Sequence, residues 1–304
     1  MIESFIIMIY YCIMHETNYD DEVICLTQLG KFTYPEITAQ PAAMAAALAQ
    51  LHQQTDWISA NLNRDDVDEV IFIGSGSSYY QAQTMASVYR KWTGKPATAA
   101  PSSDIYLFRD YTAAASRSFL LIGVSRSGES SEVLLALESV KGLSNWRTCG
   151  ITAYENSSMA KLTSCLVSPL GKEESTVMTK SFSSMTYMMI AAIAHATGRQ
   201  ELIEQVSAVP ASAEANVPRA DAFVQSFIAQ RRFNKYIYLG MGPYYGLVNE
   251  ANLKIKEMSY VWTESFGTLE FRHGPKSVVD NETLVVLMLS QEARAHELKV
   301  AQEL

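Results

Sequence analysis

The sequence predicts an α/β protein built on doubly wound parallel sheets, and three observations carry that expectation. Residues 69–80 (EVIFIGSGSSYY) and 235–246 (KYIYLGMGPYYG) follow one plan: an apolar run, a Gly-x-Gly turn, then a tyrosine pair opening a helical pattern. FLLIGV at 119–124 is a continuous apolar run, as expected of a strand buried on both faces of a parallel sheet. Predicted strands alternate with helical segments long enough to serve as crossovers. A repeat of domain size implies one ligand-binding unit used twice, with the site where the copies meet.

Element by element, PEITAQPAAMAAALAQL after Tyr34 predicts a short extended lead-in and then an Ala-rich helix with Pro41 at an early position. A strand at 70–73 precedes a helix from about Tyr79 to Trp92, which Gly94-Lys95-Pro96 breaks, and 97–100 forms a short strand. The strand at 119–124 leads to a helix over about 129–141, followed by strands at 148–152 and 165–168. A helix rich in Met and Ala covers about 179–197 and ends at Gly198. A helical region at about 200–231 leads to Tyr236, a helix at about 246–260 and an apolar strand, TLVVLML, at 283–289. The expected organisation is an N-terminal extension (1–34), a first domain (35–199), a linker helix (200–231) and a second domain (232–304). The second domain is expected to be truncated, because only about half a domain follows its Gly-x-Gly turn.

Composition narrows the function. At 304 residues, with 48% apolar and 18% charged, the chain can form two globular cores of ordinary size. A net charge of −8 and the lack of a Lys/Arg run argue against a nucleic-acid partner. They do not exclude a small anion, because backbone amides and hydroxyls bind phosphate without a basic surface. Cys12, Cys25, Cys149 and Cys165 show no C-x-x-C spacing and read as reduced residues of a cytoplasmic protein, not a zinc site. The opening MIESFIIMIYYCIM lacks a basic start and a small-residue cleavage site and is too short to span a bilayer. It reads as a poorly specified extension, and no membrane partner is expected.

Two turns carry candidate chemistry. GSGSS at 74–78 has Tyr79 where a dinucleotide fingerprint needs its third glycine, and no carboxylate ends the next strand. Gly76, Ser77 and Ser78 instead suit an oxyanion cradle of helix N-terminal amides and hydroxyls, although serines also serve as plain helix caps. SRSGES at 125–130 repeats the design directly after an apolar strand, supplying Ser125, Ser127 and Ser130. Two such turns at the carboxyl ends of neighbouring strands would converge on one crevice and could hold a phosphate monoester. Arg126 is either a phosphate partner or a solvated surface charge.

These stretches, together with STVMTKSFSSM (175–185), LKIKEMSYVWTESF and LEFRHGPKS, resemble the sugar isomerase (SIS) domain over about residues 35–304. They are most similar to proteins with tandem SIS domains: the isomerase half of glucosamine-6-phosphate synthase and the tagatose-phosphate ketose/aldose isomerase group, which includes galactosamine-6-phosphate deaminase/isomerases. FRHGPKSVVDNETLVV resembles the second group in particular. The resemblance implies two flavodoxin-like three-layer α/β/α domains. It implies that Ser125, Ser127 and Ser130, with Ser77 and Ser78, hold a sugar phosphate, and that Glu257 shuttles a proton between C1 and C2. Lys254 matches a lysine beside C1 and C2 that in the synthase can form an imine with the ketose. His273 matches a histidine assisting ring opening at a site in a neighbouring subunit, and Glu174, Ser175, Thr176 and Thr179 match a loop lining the sugar pocket.

Residue chemistry bears on these positions independently. Lys254 and Glu257 stand three apart in a helical stretch and so share one face, a spacing that also makes ordinary surface ion pairs. Aldose–ketose exchange needs a base within hydrogen-bond reach of a carbon-bound proton, and a partly desolvated glutamate gives that base a raised pKa. His273 precedes Gly274-Pro275, which would hold it at a loop tip, whereas His15, His52, His195 and His296 belong to no constellation. Glu264 and Glu270 match acidic positions of the motif, with capping or orienting roles equally open. The tyrosine pairs 79–80 and 244–245 read as packing at strand–helix junctions.

The expected function is therefore an aldose–ketose isomerase, or an isomerase/deaminase, acting on a hexose or amino-hexose 6-phosphate. A fructosamine-phosphate deglycase and a non-catalytic phosphosugar-binding protein are the alternatives. Full glutamine-dependent synthesis is not expected, because residues 1–34 cannot supply a glutaminase domain, and no basic helix-turn-helix domain of a transcription regulator is expected. No metal or organic cofactor is implied, and a histidine serving a neighbouring subunit implies a homodimer or higher oligomer.

Overall fold

The computed structural model describes residues 30–304; the apolar opening stretch, Cys12, Cys25 and His15 lie outside them. Five parallel strands form one sheet in the order β2-β1-β3-β4-β5: β1 (Glu69–Gly74), β2 (Ala97–Pro101), β3 (Phe119–Val124), β4 (Trp146–Thr152) and β5 (Cys165–Val167). Three parallel strands form a second sheet in the order β7-β6-β8: β6 (Lys235–Leu239), β7 (Thr263–Phe266) and β8 (Thr283–Leu287). In both, the first strand lies between the next two, so the chain leaves on one side and returns on the other. That reversal puts the carboxyl ends of β1 and β3 side by side, the crevice where open α/β sheets bind ligands.

Alternation along the strands explains the layers. Val70 and Phe72 of β1, with Leu120 and Ile122 of β3, join the largest core cluster, under α2 (Gln40–Gln53), α4 (Ser77–Thr93) and α9 (Lys180–Thr197). Ile71, Ile73 and Leu121 face the opposite way, toward Ile105 of α5 (Ser102–Leu107) and Val133 and Leu137 of α7 (Ser131–Ser139). Successive side chains of a strand point to opposite faces, so a sheet covered on both sides selects an unbroken apolar run. Helix α9 is buried from Ser181 to Ala194, which is why its sequence carries no polar face.

The second sheet shares that core. Tyr236 and Tyr238 of β6 join the largest cluster, together with Leu247, Val248 and Ile255 of α12 (Tyr244–Ser259), while Ile237 and Leu239 pack beneath Phe271 and Val300. Helices α4 and α12 cross at Gly246, where an added Cβ would stand 2.2 Å from the Tyr80 carbonyl oxygen and 2.5 Å from Thr84 Oγ1. Thr84 Oγ1 donates to the Pro243 carbonyl at 2.9 Å, and Asn249 Nδ2 donates to Gln83 Oε1 at 2.8 Å. Glycine at 246 is thus a condition for the backbone approach that brings the two sheets together.

Several elements depart from the sequence expectations. The predicted extended lead-in is helical, α1 (Thr33–Thr38), because its carbonyls accept amides of the following turn, Ala39 N–H to the Pro35 carbonyl among them. The predicted single linker helix is two, α10 (Gln200–Ser207) and α11 (Val209–Gln230), divided where Pro210 supplies no amide to the preceding turn. Four helices were not anticipated: α3 (Thr55–Asn61), α5, α6 (Arg109–Thr112) and α8 (Ser158–Leu162). All are shorter than the stretch over which a helical period can be read. Strand β7 falls in TESF, too short and too polar to register as a strand, and α13 (Arg294–Gln302) closes the described chain. No helix among the described residues is long and apolar enough to cross a membrane.

Gly246→Ala should destabilise the chain by about 1–3 kcal/mol or more, because the obstructing atoms are mainly helix backbone. Thermal melting would show this as a fall of several degrees in Tm. A midpoint unchanged within a degree would mean that the two helices separate without cost.

Candidate active site

The β1–α4 turn is built for close approach. Gly76 adopts φ 57° and ψ −128°, a conformation open to glycine but strained for other residues. At Gly74 a Cβ would lie 2.3 Å from the Ser78 carbonyl carbon. Ser77 and Ser78 follow, both buried, at the amino end of α4.

The β3–α7 turn repeats the design on the neighbouring strand. Ser125 is fully buried, its Oγ lies 2.9 Å from Ser130 Oγ, and it accepts the Gly128 amide at 3.0 Å. Gly128 has φ 67°, and a Cβ there would stand 2.2 Å from Ser157 Oγ. Ser127 Oγ accepts the Glu129 amide at 3.1 Å. The turn therefore holds its hydroxyls in place before any ligand arrives. Beside it lies an open cavity of about 310 Å³, lined in part by Ser127, Glu129, Tyr154 and Lys172.

Arg126, which the sequence left as a phosphate partner or a solvated charge, is only partly exposed and is bound to protein acceptors. Its Nη1 lies 3.1 Å from Glu173 Oε2 and 3.3 Å from the carbonyl oxygens of Ser175 and Val177, and its Nη2 donates to the Thr176 carbonyl at 3.1 Å. Five rigid N–H donors suit it to gather converging acceptors. It clamps the 173–179 loop onto the β3 turn. Glu173, whose side chain is fully buried, holds the other end of that loop. It accepts the Thr179 amide at 2.7 Å, the Thr179 hydroxyl at 2.8 Å and the Ser181 amide at 3.1 Å. Of the loop residues suggested by the sequence, Thr179 thus spends its hydroxyl on Glu173, and Ser175 Oγ lies 3.0 Å from Thr33 Oγ1. Glu174 and Thr176 are exposed.

Helix α12 brings the charged cluster. Glu250, Lys254 and Glu257 occupy successive turns of one face. Lys254 is 1% exposed, and its Nζ donates to Ser77 Oγ at 3.1 Å, lies 3.3 Å from Glu250 Oε1, and pairs with Glu257 Oε2. Glu257 is 36% exposed. One buried ammonium therefore joins the α12 carboxylates to a hydroxyl of the β1–α4 turn, across the crossing at Gly246. Burial tends to strip the proton from Lys254, but the two carboxylates outweigh it and hold the ammonium above its ordinary pKa. Glu250 is fully buried, with the Lys254 ammonium as its ion-pair partner; burial pushes its pKa up to about 7 against the pull of Lys254 and Ser77.

The remaining candidates lie apart from this cluster. His273 is exposed between two 3₁₀ turns, Glu270–Arg272 and Pro275–Val278, and Gly274 takes φ 120° after it. No hydrogen bond between its side chain and another described residue is present. Glu264 lies on β7, and Glu270 is exposed at the start of the first 3₁₀ turn. Sequence reasoning passed over Glu250 and Glu173. Glu250 carried a readable signal, standing four residues before Lys254; Glu173 carried none, because its partners come from the loop that it folds.

Residues 65–196 match the SIS domain family. The structure of glucosamine-6-phosphate deaminase from Thermotoga maritima is 31% identical, covering 85% of this chain and 81% of its own, with a TM-score of 0.65. Tagatose-6-phosphate ketose/aldose isomerase from Escherichia coli shares the fold at 24% identity and a TM-score of 0.75, over 88% of this chain and 76% of its own. Glutamine–fructose-6-phosphate aminotransferase (isomerizing) from Bordetella pertussis is 26% identical over 281 residues, which are 88% of this chain and 46% of that protein. The chain spans about half the length of the curated relatives it matches. It belongs to the SIS domain family.

Proposed function

We propose that this chain binds a hexose or amino-hexose 6-phosphate and moves a proton between C1 and C2, isomerising the sugar with or without release of ammonia. The observation that carries the reading is the buried Lys254 ammonium, shared by Ser77 and Glu257. It ties a carboxylate suited to act as a base to the turn suited to hold a phosphate. In this reading the domain plan is two sugar-phosphate-binding units, one on each sheet, with the substrate between them and the partner subunit's copy of His273 completing the site for ring opening.

The phosphate binds at the β1–α4 and β3–α7 turns, on amides of the helix N-termini and the hydroxyls of Ser77, Ser78, Ser125, Ser127 and Ser130. Glu257 removes the proton from C2 of the open-chain aldose, or from C1 of the ketose, and the electron pair moves toward the adjacent oxygen or nitrogen. Lys254 stabilises the charge that develops there, and Glu257 returns the proton to the neighbouring carbon. Where C2 carries nitrogen, the same proton shift yields an imine, which water hydrolyses to the ketose and ammonia. The exposed edge of Glu257 faces the only part of the cluster open to a ligand, whereas Glu250 behind Lys254 tunes the ammonium and touches no substrate.

Glu257→Gln should lower kcat by about 10²–10⁴-fold while leaving substrate Kd within a few-fold. Deuterium incorporation at C1 or C2, followed by NMR, would check the proton step directly. A parent protein that binds glucosamine, galactosamine, tagatose or fructose 6-phosphate yet neither turns over nor exchanges would sink the enzyme reading and leave a phosphosugar-binding protein. Ser127→Ala, removing one hydrogen bond to a charged group, should weaken binding of these esters by roughly tenfold or more and leave binding of unphosphorylated sugars unchanged. Equal losses for both would place the phosphate elsewhere.

Glu250 adds a pH signature. Its folded pKa of about 7 lies above the ordinary 4.5, so between these values the folded chain keeps a proton that the unfolded chain has released. The stability it contributes is full below about 4.5 and declines as pH rises to about 7. Glu250→Gln, uncharged throughout, should flatten that part of the Tm–pH curve, and an identical slope in parent and variant would refute the assignment.

A further inference from the structure

Helix α1 lies outside residues 65–196, the span matched by the family, yet it touches the loop that frames the site. Glu36 is 7% exposed, and its Oε1 accepts the backbone amide of Glu174 at 2.6 Å and that of Ser175 at 3.4 Å. Thr33 Oγ1 lies 3.0 Å from Ser175 Oγ. On its other side, Tyr34 donates its hydroxyl to Asp221 of α11 at 2.8 Å, which fixes the short helix against a long one. The same loop is gripped from within by Arg126 and Glu173, so its backbone is held by charged groups on two sides.

The arrangement is a poor choice as scaffolding alone. Glu36 Oε2 is buried with no hydrogen-bond partner, and a buried carboxylate only half satisfied costs stability. An apolar side chain would pack the position at lower cost. What Glu36 supplies, and an apolar residue could not, is an acceptor for two adjacent amides at the beginning of the 174–179 loop. Adjacent amides captured by one oxygen fix the direction of the backbone between them, and with it the side chains of Glu174, Ser175 and Thr176.

We infer that Glu36 is a positioning residue: by receiving the Glu174 and Ser175 amides it latches the 173–179 loop into the shape that receives the sugar. The inference rests on the sugar-phosphate reading above for its consequence in binding, but not for the latch itself. Glu36 touches no substrate. Its effect is on affinity, because a loop free to sample other shapes must be ordered when the ligand binds.

Two measurements on the intact chain test this. Amide hydrogen exchange at residues 174 and 175 should accelerate at least tenfold in Glu36→Ala, while the amides of β3 keep their parental rates and report that the fold is intact. Glu36→Gln retains an acceptor oxygen and should return exchange to within about threefold of the parent. With fructose 6-phosphate as the probe, Kd should rise about tenfold in Glu36→Ala and stay within threefold in Glu36→Gln. If turnover is present, KM should carry the change and kcat should not. Unchanged exchange at 174 and 175 in Glu36→Ala overturns the latch, and so does equal acceleration of the β3 amides, which would mark a global loss of structure. A parent chain that binds none of the sugar phosphates defeats the functional reading, and the exchange arm then decides the latch alone.

Discussion

Lys254 carries an ammonium into a place almost sealed from water, and the surrounding structure is what allows it to remain charged there. An isolated buried cation would lose its proton. Glu250 and Glu257, one turn to either side on α12, restore the balance, and Ser77 takes a further hydrogen bond from the far side of the crossing. The helices must meet closely for that hydroxyl to be in reach, which depends on the bare backbone at Gly246. Charge, packing and site geometry are here one constraint.

That constraint also explains the division of labour among the carboxylates. Glu250 and Glu257 have the same chemistry and lie on the same face of α12, yet one is fully buried and the other is about one-third exposed. The buried one yields to desolvation and sits near neutrality; the other can meet a ligand at the mouth. A second charged pair, with Glu173 buried and Arg126 partly exposed, repeats the logic at the loop. Arg126 and Glu173 neutralise each other while spending their remaining donors and acceptors on the backbone of 173–181. The buried Glu173 carboxylate is tolerated because both of its oxygens are occupied, by the Thr179 and Ser181 groups and by Arg126.

The fold was legible where physics acts locally. Strand β3 was expected at the residues it occupies, because a strand covered on both faces can only be apolar along its length. The end of α9 at Gly198 was equally plain, since the left-handed turn there suits glycine. Strand β7 and the short helices were not legible, for each is held by neighbours distant in sequence and leaves no period of its own. The candidate site divides the same way. The two serine-glycine turns and the shared face of Lys254 and Glu257 could be read from spacing, whereas the work of Arg126, Glu173 and Glu36 could not, because most of their partners are backbone atoms of a loop that only folding brings to them.

The strand–turn–helix units, the glycines that let backbone approach a ligand, and the helical face carrying lysine and glutamate are all written in the order of residues. These follow from local sterics and from the periods of helix and strand. Which carboxylate is buried, that Ser77 meets Lys254, and that Arg126 grips a loop were settled by the folded packing. Those outcomes depend on desolvation and on contacts between segments far apart in the chain, and neither quantity exists until the chain has folded.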